Sequence, residues 1–156
     1  MACVEFRAMF ATGAASTTAK SMIGVKAAAN HPVRVDGFYA CFDGVDAADN
    51  PCLIEVCTAT FATNSPGTNS TSVTPAKTQP DIDATIQATA AKLWSSEPTV
   101  LTAVDIFNIP VYHGAALVFY PLKKSLIIPG GTGCVVRVTL AAATVGNMSG
   151  GLLCEE

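Results

Sequence analysis

Six cysteines, at positions 3, 41, 52, 57, 134 and 154, and two histidines, His31 and His113, are the side chains here best suited to nucleophilic or metal chemistry. The sequence has no C-x-x-C pair, and the nearest thiols, Cys52 and Cys57, are five residues apart. On a strand that spacing points the two side chains to opposite faces, so they do not converge on one ion. Buried free thiols acting as small hydrophobes are the expectation, and neither a disulfide framework nor a metal site is. His31 lies in the turn Asn30-His31-Pro32 and His113 in Tyr112-His113-Gly114. With no G-x-S-x-G elbow beside them, both read as structural.

Other chemistries fare no better. Pro129-Gly130-Gly131-Thr132-Gly133 lacks the Lys-Ser/Thr end of a phosphate loop and reads as a tight turn between strands. The acids of Asp43-Gly44-Val45-Asp46-Ala47-Ala48-Asp49 lack EF-hand spacing, which leaves a solvated turn. There is no H-x-H for a cupin metal, and Asp36, Asp43, Asp46, Asp49, Glu55 and Asp105 form no pair that sequence alone places at glycosidase separation. The expectation is a protein that is not an enzyme, with no catalytic residue, no cofactor and no bound metal.

Composition narrows the remaining classes. Half of the 156 residues are apolar, only 13% are charged, and the formal net charge is −3. This length suits one domain with a real core. No basic cluster is denser than Lys123-Lys124, which argues against a nucleic-acid partner. Mean hydropathy is +0.41, yet no apolar run approaches the ~20 residues of a membrane span. The charges Glu5 and Arg7 interrupt the start of the chain, so no export signal is expected, and the Asn69-Ser70-Thr71 sequon carries no weight. A charge-poor, Ala- and Thr-rich soluble chain is expected to hide part of its surface in an assembly.

Val, Ile, Thr, Phe and Tyr fill the ordered stretches, with Gly, Pro, Asn and Asp between them. That pattern predicts an all-β fold, a jelly-roll-like antiparallel β-sandwich of about eight to ten strands with an N-terminal arm. Strands are predicted near 3–10, 22–28, 33–42, 52–62, 84–90, 99–107, 115–120, 125–128, 133–141 and 147–154. Alternation sets Val136, Val138 and Leu140 against Arg137 and Thr139, and Val33, Val35, Gly37 and Tyr39 against Arg34, Asp36 and Phe38. A competing helix over Asp81–Trp94 has Ile82, Ile86, Ala90 and Leu93 at helical spacing. Residues 1–21 form a strand or arm and 22–156 a single domain.

Two long polar stretches, 11–21 and 64–80, suit contact-making loops. The arm's apolar residues Phe6, Met9 and Phe10 belong either to a strand of their own domain or to strand exchange with a neighbour. Together with Asn64, Thr68, Asn69 and Thr78 of the second loop, and with Trp94, they are the candidate interface residues. Trp94 suits a core position equally well.

Phe42-Asp43-Gly44-Val45, the stretch Ala59 to Asn69, Trp94-Ser95-Ser96-Glu97-Pro98-Thr99 and the stretch Ile127 to Arg137 resemble the jelly-roll decoration or cement proteins of tailed-phage heads. The resemblance spans residues 22 to 154 and rests on turn chemistry. It implies a structural virion protein on the capsid exterior, bound to the major capsid protein as a homo-oligomer, trimer or else dimer, and assembled in the host cytoplasm. A carbohydrate- or receptor-binding jelly-roll module of a head fibre or tail is the alternative, with Tyr112 and His113, or Trp94 and Glu97, as its only aromatic candidates.

Overall fold

A computed structural model of the chain describes residues 3–43, 50–80, 83–112, 114–120, 125–141 and 146–156. The acids at 46 and 49, His113, the Lys123-Lys124 pair, and Asp81 and Ile82 of the competing helix lie outside them. Among the described residues there is no helix and there are twelve strands: β1 (Glu5–Ala14), β2 (Lys20–Lys26), β3 (Val33–Phe42), β4 (Pro51–Ala59), β5 (Thr71–Val73), β6 (Ala76–Lys77), β7 (Thr89–Lys92), β8 (Leu101–Pro110), β9 (Ala115–Phe119), β10 (Leu126–Ile128), β11 (Gly133–Leu140) and β12 (Asn147–Glu155). All pair antiparallel, in two six-stranded sheets that make a β-sandwich.

The first sheet runs β3-β12-β1-β6, with β9 and β10 placed end to end along the free side of β3. The second runs β5-β7-β2-β11-β4-β8. Successive long strands therefore alternate between sheets, apart from β4 and β8, which pair directly. The main core lies between the sheets and includes Phe6, Phe10, Met22, Ile23, Phe38, Ile54, Val136, Val138, Ile128 and Leu152. Burying side chains of this size supplies roughly 1.5–3 kcal/mol each.

The sequence pattern holds where a strand is regular. In β11, Val136, Val138 and Leu140 are buried and Arg137 and Thr139 half-buried, as alternation predicts. In β3 the pattern needs correction. Leu153 of β12 pairs with Gly37, but the next residue, Cys154, pairs with Val35, so Asp36 is an extra residue in β3. Such a bulge reverses every later side chain. Phe38 and Ala40 are consequently buried in the core, and Tyr39 turns to the outer face.

Three other expectations shift. The strand placed at 84–90 begins only at Thr89. The competing helix over 81–94 is replaced by that strand, preceded by residues 83–88 without regular structure. The polar loop 64–80 contributes two short edge strands: β5 extends the second sheet beside β7, and β6 extends the first beside β1. This segment thus closes the β1/β7 side of the sandwich, whereas β8 and β9 at the opposite side are bare edges. An inward acid protects part of that bare side, where Tyr120 Oη donates to Asp105 Oδ2 at 2.6 Å.

Candidate interaction surfaces

Three of the eight candidate contact residues meet in one layer on the outer face of the second sheet. Phe61 and Trp94 stack with ring centroids 6.2 Å apart and cover Cys57, Ala59, Ala91 and Val135 in a second, smaller core. Cys52 lies in the main core and Cys57 in this outer one, on opposite faces as their spacing requires. Trp94 Nε1 donates to the Asn64 carbonyl at 2.8 Å, Asn69 Nδ2 to Asn64 Oδ1 at 2.8 Å, and Asn64 Nδ2 to the Glu97 carbonyl at 2.8 Å. Glu97 in turn accepts from the backbone N–H and hydroxyl of buried Ser21 at 2.7 and 2.6 Å.

Among the described residues, the five non-glycine residues with positive φ, Phe61, Asn64, Asn69, Leu93 and Val100, lie in two segments, 61–69 and 93–100, that carry or flank this layer. Left-handed backbone at Phe, Leu and Val is costly, and surrounding contacts must hold it. The layer is therefore a rigid platform. Trp94 is 1% exposed, so its indole offers no face on which a sugar could stack. Tyr112 is exposed.

The other candidates are scattered. Thr68 is an exposed loop residue whose N–H donates to the Ser65 carbonyl at 2.8 Å. Thr78 sits at the far edge of the first sheet, where its N–H donates to the Glu5 carbonyl at 3.0 Å. Phe6 and Phe10 point into the chain's own core from β1, which pairs on both sides within its own sheet. Of the arm's apolar trio only Met9, 41% exposed, is turned outward.

A different apolar surface went unread in the sequence. Leu117 and Phe119 of β9 and Ile127 of β10 are 63%, 63% and 67% exposed. They stand on the outer face of the first sheet with half-buried Tyr39 and Leu153 and with Met9. The signal was present: Ala115 to Tyr120 and Leu126 to Ile128 contain no polar residue in alternation. A strand apolar on both faces needs both faces covered.

Comparison with family models, curated proteins and solved structures returns no match.

The thiols and histidines add no assembled chemistry among the described residues. No group of three or more His, Cys, Asp or Glu is placed to hold a metal. Cys3 and His31 do line one cavity of about 360 Å³, with Val4, Ala84, Thr85, Gln87 and Glu156. The Cys3 thiol donates to Glu155, and the Glu156 carboxylate is occupied by the backbone N–H groups of Gln87 and Ala88. All six cysteines are free; Cys52, Cys57, Cys134 and Cys154 are buried, while Cys3 is exposed and Cys41 half-buried. Thiol titration of the native protein is expected to show Cys3 reacting first and Cys41 more slowly. The other four should react only on unfolding, and six thiols reacting at one rate would refute this placement.

Proposed function

We propose that this chain is a structural virion protein that binds the outside of an assembled phage capsid and stabilises it through homo-oligomeric and capsid contacts. The observation that carries the reading is the outer face of the first sheet, where Leu117, Phe119 and Ile127 stand together among the most exposed large apolar side chains of the described residues. Large apolar side chains clustered on one face mark an interaction surface. The winding supports a jelly roll. β1, β12, β3 and the β9/β10 line in one sheet face β2, β11, β4 and β8 in the other, as two interlocked Greek keys require.

In this role the protein needs rigidity and contact area rather than a reactive group. The platform around Trp94 and Asn64 supplies one rigid surface, the bare sheet face a second. One serves attachment to the major capsid protein and the other self-association. The test is cosedimentation with empty heads of a tailed phage lacking its own decoration protein. Saturable binding at a fixed number of copies per capsid subunit, with a raised temperature of head disruption, is the expected result. Absence of binding to heads, together with retention on a glycan or receptor surface, would replace this reading with the fibre or tail module.

A further inference from the structure

We propose that the outer face of the first sheet is a two-fold interface with a second copy of this chain. This names the surface for the homo-oligomeric part of the reading above, and it rests on that part alone.

The two outer faces of the sandwich are treated differently. That of the second sheet carries its own cover, Phe61 and Trp94 over Cys57, Ala59, Ala91 and Val135. That cover stops short of β8, where Ile106 is 61% exposed, whereas among the described residues the outer face of the first sheet carries no cover at all. Strand register arranges them in three cross-strand rows. The first reads Ile127, Arg34, Glu155, Glu5; the second Phe119, Gly37, Leu153, Arg7; the third Leu117, Tyr39, Gly151, Met9.

These rows are self-complementary. A two-fold axis running along the strands, midway between β3 and β12, lays β3 of one copy over β12 of the other and keeps the rows aligned. Arg34 then faces Glu155 of the second copy, and Glu155 faces its Arg34. In the next row Leu153 faces Gly37; in the third, the Tyr39 rings of the two copies, each lying against Gly151 of its own chain, meet beside the axis. Farther from the axis Leu117 faces Met9, Phe119 covers the aliphatic stem of Arg7, and Ile127 lies over that of Glu5. An isologous contact requires this reciprocity, residue i meeting j while j meets i. The three central pairs lie within one strand spacing of the axis, where the twist between two packed sheets displaces them least.

At both glycines the chain's own atoms lie close over the backbone, which keeps the face flat at its centre. A Cβ at Gly37 would stand 2.3 Å from the Val118 carbonyl oxygen, and one at Gly151 would stand 2.8 Å from the Tyr39 ring and from the Ala8 carbonyl oxygen. Charge also selects a second copy over a strongly charged partner. Arg34 already pairs with Asp36 at 2.7 Å and with Glu155, so across the axis the same groups form an alternating cluster. The face spans roughly 20 by 26 Å. That area, about 520 Å², lies at the small end of the interface range, below the ~800 Å² per partner of a standard one.

The experiment is sedimentation equilibrium and light scattering on the full chain with reductant, from about 1 to 100 μM. Wild type is expected at twice the 16.0 kDa chain mass. Leu117→Glu and Phe119→Glu, both at solvent-exposed positions, should each raise the dimer dissociation constant about thirtyfold or more. Ile106→Glu, on the outer face of the second sheet, should leave it unchanged, with circular dichroism verifying the fold of each variant. Arg34→Glu and Glu155→Arg should each weaken the dimer and their combination restore it. A wild-type monomer at 100 μM, or a dimer lost through Ile106→Glu and kept in Leu117→Glu and Phe119→Glu, would overturn the proposal. Head binding by a wild-type monomer would overturn this interface and leave capsid attachment standing. A dimer that binds no head would do the reverse.

Discussion

Raising the pH above 9 is expected to unfold this protein cooperatively, with a midpoint between about pH 10 and 12, because four buried thiols stay protonated only in the folded state. Burial pushes the Cys52 thiol from an ordinary 9.0 up to about 12 and the Cys57 thiol to about 11. Burial raises Cys134 and Cys154 as well, and Tyr120 is raised by burial and then by its hydrogen bond to Asp105. In the unfolded chain these thiols ionise near pH 9. Between there and the folded values the unfolded chain has released protons that the native chain still holds, so stability falls as pH rises. The contribution is complete below pH 9 and is lost on passing through the folded values. Each thiol adds a slope of about 1.4 kcal/mol per pH unit, and four give roughly 5. Against a domain stability of about 5–15 kcal/mol, that exhausts the margin within one to three pH units. Circular dichroism against pH, with thiolate absorbance followed in parallel, should show four of the six thiols ionising together with the loss of structure. Native dichroism at pH 12, or thiolate from more than the two accessible cysteines, Cys3 and Cys41, while the fold persists, would contradict the burial of these groups.

Those thiols illustrate what the sequence could and could not disclose. Their apolar neighbours and the opposed spacing of Cys52 and Cys57 were legible, because a regular strand obeys a period of two. The reversal at Asp36 was not, since a bulge is set by pairing with a distant strand, here β12, and leaves no local mark. β5 and β6 were hidden for a related reason. Thr71–Val73 and Ala76–Lys77 have no alternation of their own and become strands by lying against the edges of β7 and β1. Long-range pairing overrides weak local preference.

The contact surfaces divide in the same way. Asn64, Asn69 and Trp94 were singled out by residue type, and the fold brings them together through hydrogen bonds that sequence spacing could not reveal. Phe6 and Phe10 were chosen for being apolar at a terminus. Their even spacing with Ala8, all three buried against exposed Glu5, Arg7 and Met9, already described a strand with one face in a core. The β9 and β10 residues carried the clearest signal and were read only as strand. An apolar run with no polar partner reports on two covered faces, and only the structure shows that one of them has no cover.

Replacing Trp94 by Ala is expected to cost about 3–5 kcal/mol, the range for a fully buried aromatic. For a domain of this length that lowers the melting temperature by roughly 6–20 °C. The outer core holds Cys57, Ala59, Ala91 and Val135, all small, so the indole and Phe61 provide nearly all of its bulk. The six-membered edge of the indole also lies over Gly24, where an added Cβ would stand 3.0 Å from the indole and 2.5 Å from Val135 Cγ1, so only the short Val135 side chain borders the vacated space there. Trp94→Phe separates the two contributions. It retains most of the ring and leaves the Asn64 carbonyl without its donor, at a cost of about 1–3 kcal/mol. The left-handed residues at 61, 64 and 69 depend on this anchor, so Trp94→Ala should also open the 61–70 segment to proteolysis below the melting temperature. Phe61→Ala should cause the same opening, and the double variant should fall short of the sum, because the two rings share one contact. Should both single variants melt within about 2 °C of wild type, the platform would not depend on this pair. The strained backbone at Phe61, Leu93 and Val100 would then need another support, and the rigidity on which attachment through this face depends would have no source in the aromatic layer.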